Sequence, residues 1–158
     1  MENEIEQKIW EILETVCDPE VPVLTIIDLG IVRNVTIRKN TVLINITSTY
    51  TGCPAMDMIT MNIKLALAEN GFKNIEVKQV LTPAWTTDWM TENGKQKLKE
   101  YGIAPPQKNS RETPDTGIEC PQCNSLDTIL ISEFGSTACK ALYKCNTCKE
   151  PFDYFKCY

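Results

Sequence analysis

The chain has 158 residues, a hydrophobic fraction of 42%, a charged fraction of 23% and a net charge of −5. It is short for two full-sized domains but long enough for one α/β domain plus a small metal-stapled one. Residues 1–118 carry 12 Lys+Arg against 16 Asp+Glu and the remainder 4 against 5, so the basic footprint of a nucleic-acid binder is missing.

Ile5, Ile9, Ile12 and Val16 recur at helical spacing, widened by Trp10 and Leu13. They predict an amphipathic helix that ends at Cys17-Asp18-Pro19. Val35 and Ile37, then Val42, Ile44 and Ile46, alternate on either side of Lys39-Asn40, which predicts a hairpin with strands near 31–38 and 41–47. Met56 to Asn70 reads as a helix stopped by Gly71, Ile75 to Leu81 as a third strand, and Thr91 to Tyr101 as a last helix closed by Gly102. The helix after the second strand is the crossover of a βαβ unit, so strands two and three should run parallel. Three loops then emerge on one sheet edge: Asp28-Leu29-Gly30, Thr49 to Pro54, and Thr82 to Trp85. Ligand sites in open α/β sheets form outside the carboxyl ends of parallel strands.

Cys53 is the one thiol on that edge. With Pro54 as first helical residue, Cys53 is the N-cap, and its sulfur faces unpaired N–H groups that would lower its pKa. A structural thiol buried under the sheet edge is the plain alternative. A lone thiolate cannot hold a cluster, so any cluster there is shared with a second subunit or a client. Asp18, Glu20 and Asp28 are candidate metal ligands or proton acceptors near Cys53, but turn roles suit Asp18 and Asp28 better and Glu20 is open; Trp85 and Trp89 suit a binding surface or, more commonly, the core. Cys17 is given no role.

Residues 104–118 change to Pro, Ser, Thr, Asn and charge and read as a linker. It separates a domain at 1–103 from a unit at 119–158. That last unit holds Cys120-Pro-Gln-Cys123 and Cys145-Asn-Thr-Cys148 with 21 residues between them, the pattern of a four-thiolate metal site with zinc as the default ion. Iron or an iron–sulfur cluster also suits four thiolates. The chain has eight cysteines and no histidine. Cys–His and Ser–His nucleophiles, Rieske centres, His–carboxylate iron sites and ordinary catalytic zinc are thereby excluded. Cys139 and Cys157 are spare ligands, a redox pair, or small buried residues. A unit of this length needs its metal to fold.

Asp18 to Leu24, Asp28 to Arg33 and Thr51-Gly52-Cys53-Pro54-Ala55 resemble the metal–sulfur cluster assembly domain of SufT-type proteins. Pro83 to Met90, Ile131 to Tyr143 and Glu150 to Cys157 narrow the likeness, and nearly the whole chain is similar to the PaaD (PaaJ) family, the D subunits of phenylacetyl-CoA epoxidase systems. Ser48 stands where the family's loop is expected to carry proline, and Cys17 lies outside its pattern. The resemblance implies an accessory component of a multicomponent oxygenase, non-catalytic by itself, that assists assembly of an iron–sulfur or di-iron centre in its partners. It implies Cys53 as the cluster-handling thiol, Asp28, Thr51 and Gly52 as its loop, and the four knuckle cysteines as metal ligands.

The expected architecture is therefore α/β (α+β), a small mixed three-stranded sheet with helices followed by a β-rich zinc ribbon. The expected cofactor is structural zinc, with a transient iron–sulfur cluster or iron as cargo. The expected partners are the oxygenase and iron–sulfur reductase subunits and a second copy of the chain, because the 56–68 helix is apolar around most of its circumference. No nucleic acid and no membrane are expected. The acidic N-terminus lacks the apolar core of a signal peptide and no run approaches the ~20 apolar residues of a membrane span. A reducing cytoplasm is the expected compartment. The rivals are a structural or regulatory docking subunit that handles no cluster, and a thiol redox enzyme using Cys53 or the knuckles.

Overall fold

The computed structural model describes residues 1–50, 52–106 and 117–155. They form two compact units, one of residues 1–85 with 89–91 and one of residues 86–88 with 92 onward.

The first unit opens with α1 (Glu2–Leu13), which buries Ile9, Ile12 and Leu13. The helix stops short of the expected Val16. Val16 O accepts from Ile26 N, and Asp18 N donates to Leu24 O, so the backbone after Leu13 is drawn into pairing with the following loop. Val16 still reaches the core, but Ile5 is left exposed. A four-residue helix, α2 (Ile26–Leu29), has no counterpart among the expected elements; Thr25 and Asp28 close it with a reciprocal capping box. Strands β1 (Val32–Arg38) and β2 (Thr41–Ile46) form the expected hairpin. Lys39 and Asn40 both have positive φ, as a two-residue type I′ turn requires. Helix α3 (Ala55–Glu69) crosses over to β3 (Asn74–Gln79), which runs parallel to β2 in the order β1-β2-β3.

Cross-strand partners share a face, so Val35, Ile37, Val42, Ile44, Ile75 and Val77 form one apolar face while Thr36, Leu43, Asn45 and Glu76 line the other. Helix α3 seats Met56, Ile59, Ile63 and Leu67 in the core, and α1 and α3 both touch the sheet unit. The remaining α3 stripe, Met58, Met61 and Leu65, is exposed.

The second unit contains α4 (Glu92–Glu100), β4 (Ile103–Ala104), β5 (Thr128–Ser132), β6 (Lys140–Cys145) and β7 (Pro151–Phe155), with the strands in the order β4-β7-β6-β5. Here the structure departs from the sequence-based boundaries. The last helix and Ile103 group with the ribbon rather than with 1–103. Both ends of the expected linker are ordered, since Ala104 pairs with Tyr154 and Ala104 and Ile118 lie in the ribbon core with Cys120, Cys145, Phe152 and Tyr154. A two-residue strand whose partner lies some fifty residues further along leaves no periodic signal. Residues 107–116 of the linker lie outside the described residues. Strand β7, opened by Pro151, likewise has no counterpart among the expected elements.

Candidate metal centre and thiol loop

The two knuckles are built alike. Gln122 N lies 3.4 Å from Cys120 Sγ and Cys148 N lies 3.5 Å from Cys145 Sγ. Each knuckle is followed by a residue of positive φ, Asn124 and Lys149, which turns the chain back after its second cysteine. Asn146 anchors the second knuckle through Nδ2 to Asp127 Oδ1 at 2.9 Å, and Ser125 Oγ meets Thr147 Oγ1 at 2.8 Å across the pair.

The Sγ atoms of Cys120, Cys123, Cys145 and Cys148 all lie within 4.8 Å of one another. Cys120 to Cys148 is 3.7 Å and Cys123 to Cys145 is 3.5 Å. A tetrahedron of sulfurs about zinc at about 2.3 Å has edges near ~3.8 Å, so the four thiols fit one zinc ion, as the sequence spacing requires. The backbone N–H groups of Cys148 and Thr147 pull the Cys145 thiol down to about 6. Cys148 accepts a backbone hydrogen bond from Glu150 that lowers it, yet burial and its three sulfur neighbours push it up to about 12. Four sulfurs this close ionise together only around a cation, a charge that a zinc ion would supply. Cys139 is buried beside Thr137 Oγ1 at 2.9 Å and is not one of the four. Cys157 lies outside the described residues.

On the first unit, Cys53 sits on the loop between β2 and α3. Pro54 takes the N-cap position, so Cys53 stands one residue further out than expected. Burial raises its thiol above the usual value, and the carboxylates of Glu20 and Asp18 add to the rise. The backbone N–H of Ala55 and the Tyr50 hydroxyl favour the thiolate but are outweighed. The expected lowering is corrected: half-burial beside two anions overrides a helix end. Tyr50 Oη also donates to Glu20 Oε1 at 3.4 Å. Asp18 Oδ1 accepts from Glu20 N at 2.7 Å and Val21 N at 3.3 Å, the turn role its sequence suggests.

Asp28 is placed for structure. Its Oδ2 accepts from Thr25 N at 3.2 Å and its Oδ1 from Thr91 Oγ1 at 3.2 Å. Gly30, at φ +72, lies where a Cβ would collide with the Trp89 backbone. Trp85 is buried with Nε1 donating to Leu29 O at 2.8 Å, and the Arg33 guanidinium lies 3.5 Å over the Trp89 ring. The first and third loops are thus tied to each other. Gly52 has φ +76 with open space where its Cβ would be, so it serves the backbone turn. Thr51 lies outside the described residues. Tyr50 is the residue to which sequence alone assigns no role; Glu20, a candidate from sequence as metal ligand or proton acceptor, is placed beside the thiol.

Glu20→Gln removes one of the anions that hold the thiol up. Alkylation of Cys53 should then reach half-maximal rate at lower pH than in the parent chain and run about two- to fivefold faster near pH 8, read by mass spectrometry of the labelled peptide. An unchanged pH profile would remove Glu20 from the site.

A family model described as "PaaD zinc beta ribbon domain" matches residues 104–156, and one described as "Iron-sulfur cluster assembly protein" matches residues 6–81. The chain is 53% identical over 153 residues, 95% of its length and 92% of the relative's, to the Escherichia coli (strain K12) D subunit of a "Putative 1,2-phenylacetyl-CoA epoxidase". It is 37% identical over 97 residues, 60% of its length and 94% of the relative's, to an Fe-S protein maturation auxiliary factor of Bacillus subtilis. A Bacillus anthracis crystal structure of a domain of unknown function, DUF59, is 34% identical with a TM-score of 0.57 and covers 61% of this chain and 92% of its own. Among the described residues, no helix is long and apolar enough to cross a membrane.

Proposed function

The chain belongs to the PaaD family, in which a zinc ribbon follows an iron–sulfur assembly domain, and from that premise we propose that it is a maturation subunit of a phenylacetyl-CoA oxygenase. It assists the loading of an iron–sulfur cluster or a di-iron centre in its partner oxygenase and reductase subunits and catalyses no turnover itself. The observation that carries this reading is the Cys53 thiol, half-buried on the loop edge beside Glu20, Asp18 and Tyr50. Burial raises this thiol and the carboxylates of Glu20 and Asp18 add to the rise; those carboxylates are the charges an arriving cation would neutralise, so metal arrival favours the thiolate. The similarity to a maturation auxiliary factor over the same part of the chain supports it. The seven described cysteines form no disulfide, consistent with work in a reducing cytoplasm. The test is the metal and sulfide content of the partner subunits produced with and without this chain, under exclusion of oxygen. Equal loading in both would leave the docking-subunit reading.

The maturation unit acts as a homodimer through α3. Met58, Met61 and Leu65 form its exposed stripe, with Asp57 towards one end and Lys64 towards the other. An antiparallel copy therefore covers apolar surface and sets opposite charges near each other. Sedimentation at micromolar concentration should give twice the chain mass, and Met61→Glu should give a monomer. A monomeric parent chain would rule the dimer out.

A further inference from the structure

The apolar face of the first sheet is incompletely covered at its hairpin end. On α1, Ile9 is fully buried, but Ile5, one turn earlier, stays 43% exposed. Ile37 and its ladder partner Val42 lie on the apolar face of the hairpin, yet Ile37 is only partly buried. After α3 the chain turns at Gly71, whose φ of +92 suits glycine, and continues into a partly buried Phe72. Ile5, Ile37, Val42 and Phe72 wall a cavity of about 340 Å³, within the size range of small-molecule sites. Its rim is polar and exposed, formed by Asn40, Lys73 and Asn74. The cavity sits where β2 and β3 begin, since Thr41 pairs with Asn74. The Cys53 loop follows the other end of β2, roughly 17 Å away along the strand, so this site does not depend on the maturation reading.

Charge and size narrow the occupant. Among the described residues, Lys73 is the one charged side chain on the lining, and the glutamates of α1 do not reach it. Lys73 makes no ion pair there, and the side chains of Asn40 and Asn74 make no hydrogen bond. The negative end of α3 is closed off within the chain. Leu67 O and Ala68 O accept from the N–H groups of Asn70, Gly71 and Phe72, and Ala66 O accepts from Asn70 Nδ2 at 2.8 Å. A cationic ligand would be repelled by Lys73, and a phosphate dianion would meet a single cation. One ammonium, two neutral amides and apolar walls match one negative charge on an apolar body.

We propose that this cavity binds a small monocarboxylic acid, with its apolar body against Ile5, Ile37, Val42 and Phe72 and its carboxylate at Lys73. The amides of Asn40 and Asn74 are the further donors to that carboxylate. Burial of the apolar body supplies most of the affinity, and the charge-assisted hydrogen bond sets the orientation.

The test is titration of the full-length, zinc-loaded, nitrogen-15-labelled chain with hydrocinnamate, followed by amide chemical shifts. The neutral hydrocinnamamide is the comparison. The acid should bind with a Kd of about 1 mM or tighter and about threefold or more tightly than the amide. The shifts should gather on residues 39–42 and 71–74. Lys73→Gln should erase the preference for the acid. Ile5→Trp, at an exposed position, should fill the opening and weaken both ligands about tenfold or more. The proposal is overturned if the acid does not bind, if the parent chain binds acid and amide equally, if Lys73→Gln keeps the preference, if Ile5→Trp leaves binding unchanged, or if the shifts gather on the Cys53 loop or the ribbon instead.

Discussion

Cys145→Ser should release the bound zinc and unfold strands β4 to β7 while the sheet of β1, β2 and β3 stays folded. Two of the six residues of the buried cluster around the site, Cys120 and Cys145, belong to the four-sulfur set, and Tyr143 and Cys148 pack against that cluster. The rest of that core is small: Tyr143 stacks on Phe152 at 5.9 Å and meets Tyr154 edge-on at 5.7 Å. A unit of this length buries too little apolar surface to offset its chain entropy unaided. Structural zinc contributes on the order of 10–16 kcal/mol in such sites, far above the net stability of a small domain. Serine is a poor zinc ligand and leaves three thiols to share the charge. The melted region should reach back to Ile103 and Ala104, because their ladder partners Asp153 and Tyr154 are in β7. Elemental analysis and hydrogen exchange resolved by segment check this. One zinc per chain with full protection of β5–β7 in the variant would mean that Cys145 is not a ligand.

Cys53→Ser should leave this protein folded, zinc-loaded and able to dock, while its partner subunits accumulate several-fold depleted in their iron centre. The exchange of sulfur for oxygen at a half-buried loop position is expected to cost less than about 1 kcal/mol of stability. It removes the soft ligand and leaves Glu20 and Tyr50 in place. Its effect should therefore appear in the client and not in this chain. Cys17 is exposed, and Cys17→Ser is the control that should change neither protein. Iron and sulfide analysis of the purified oxygenase and reductase, together with oxygenase turnover, gives the readout. A fully metallated and fully active oxygenase alongside Cys53→Ser would sink the maturation mechanism and favour docking alone.

The sequence by itself determined the features that short-range chemistry dictates. The alternation around Lys39-Asn40 specified a hairpin because a two-residue turn with positive φ is local to those residues. The helix between β2 and β3 specified their parallel pairing, because a crossover of that length allows no other close arrangement. The spacing of Cys120, Cys123, Cys145 and Cys148 specified a four-sulfur site, because each knuckle geometry is set within a few residues. Tertiary structure decided the rest, wherever two segments remote in sequence had to meet. Val16 left helical form because its carbonyl is taken by Ile26 N. Ile103 and Ala104 became a strand only because β7 offers its edge. The Cys53 thiol follows the same rule: the local signal, a helix start, predicts a lowered pKa, but burial removes it from water and the loop that carries Asp18 and Glu20 folds beside it. Local sequence reports the helix dipole; only the folded chain reports the desolvation and the neighbouring anions that outweigh it.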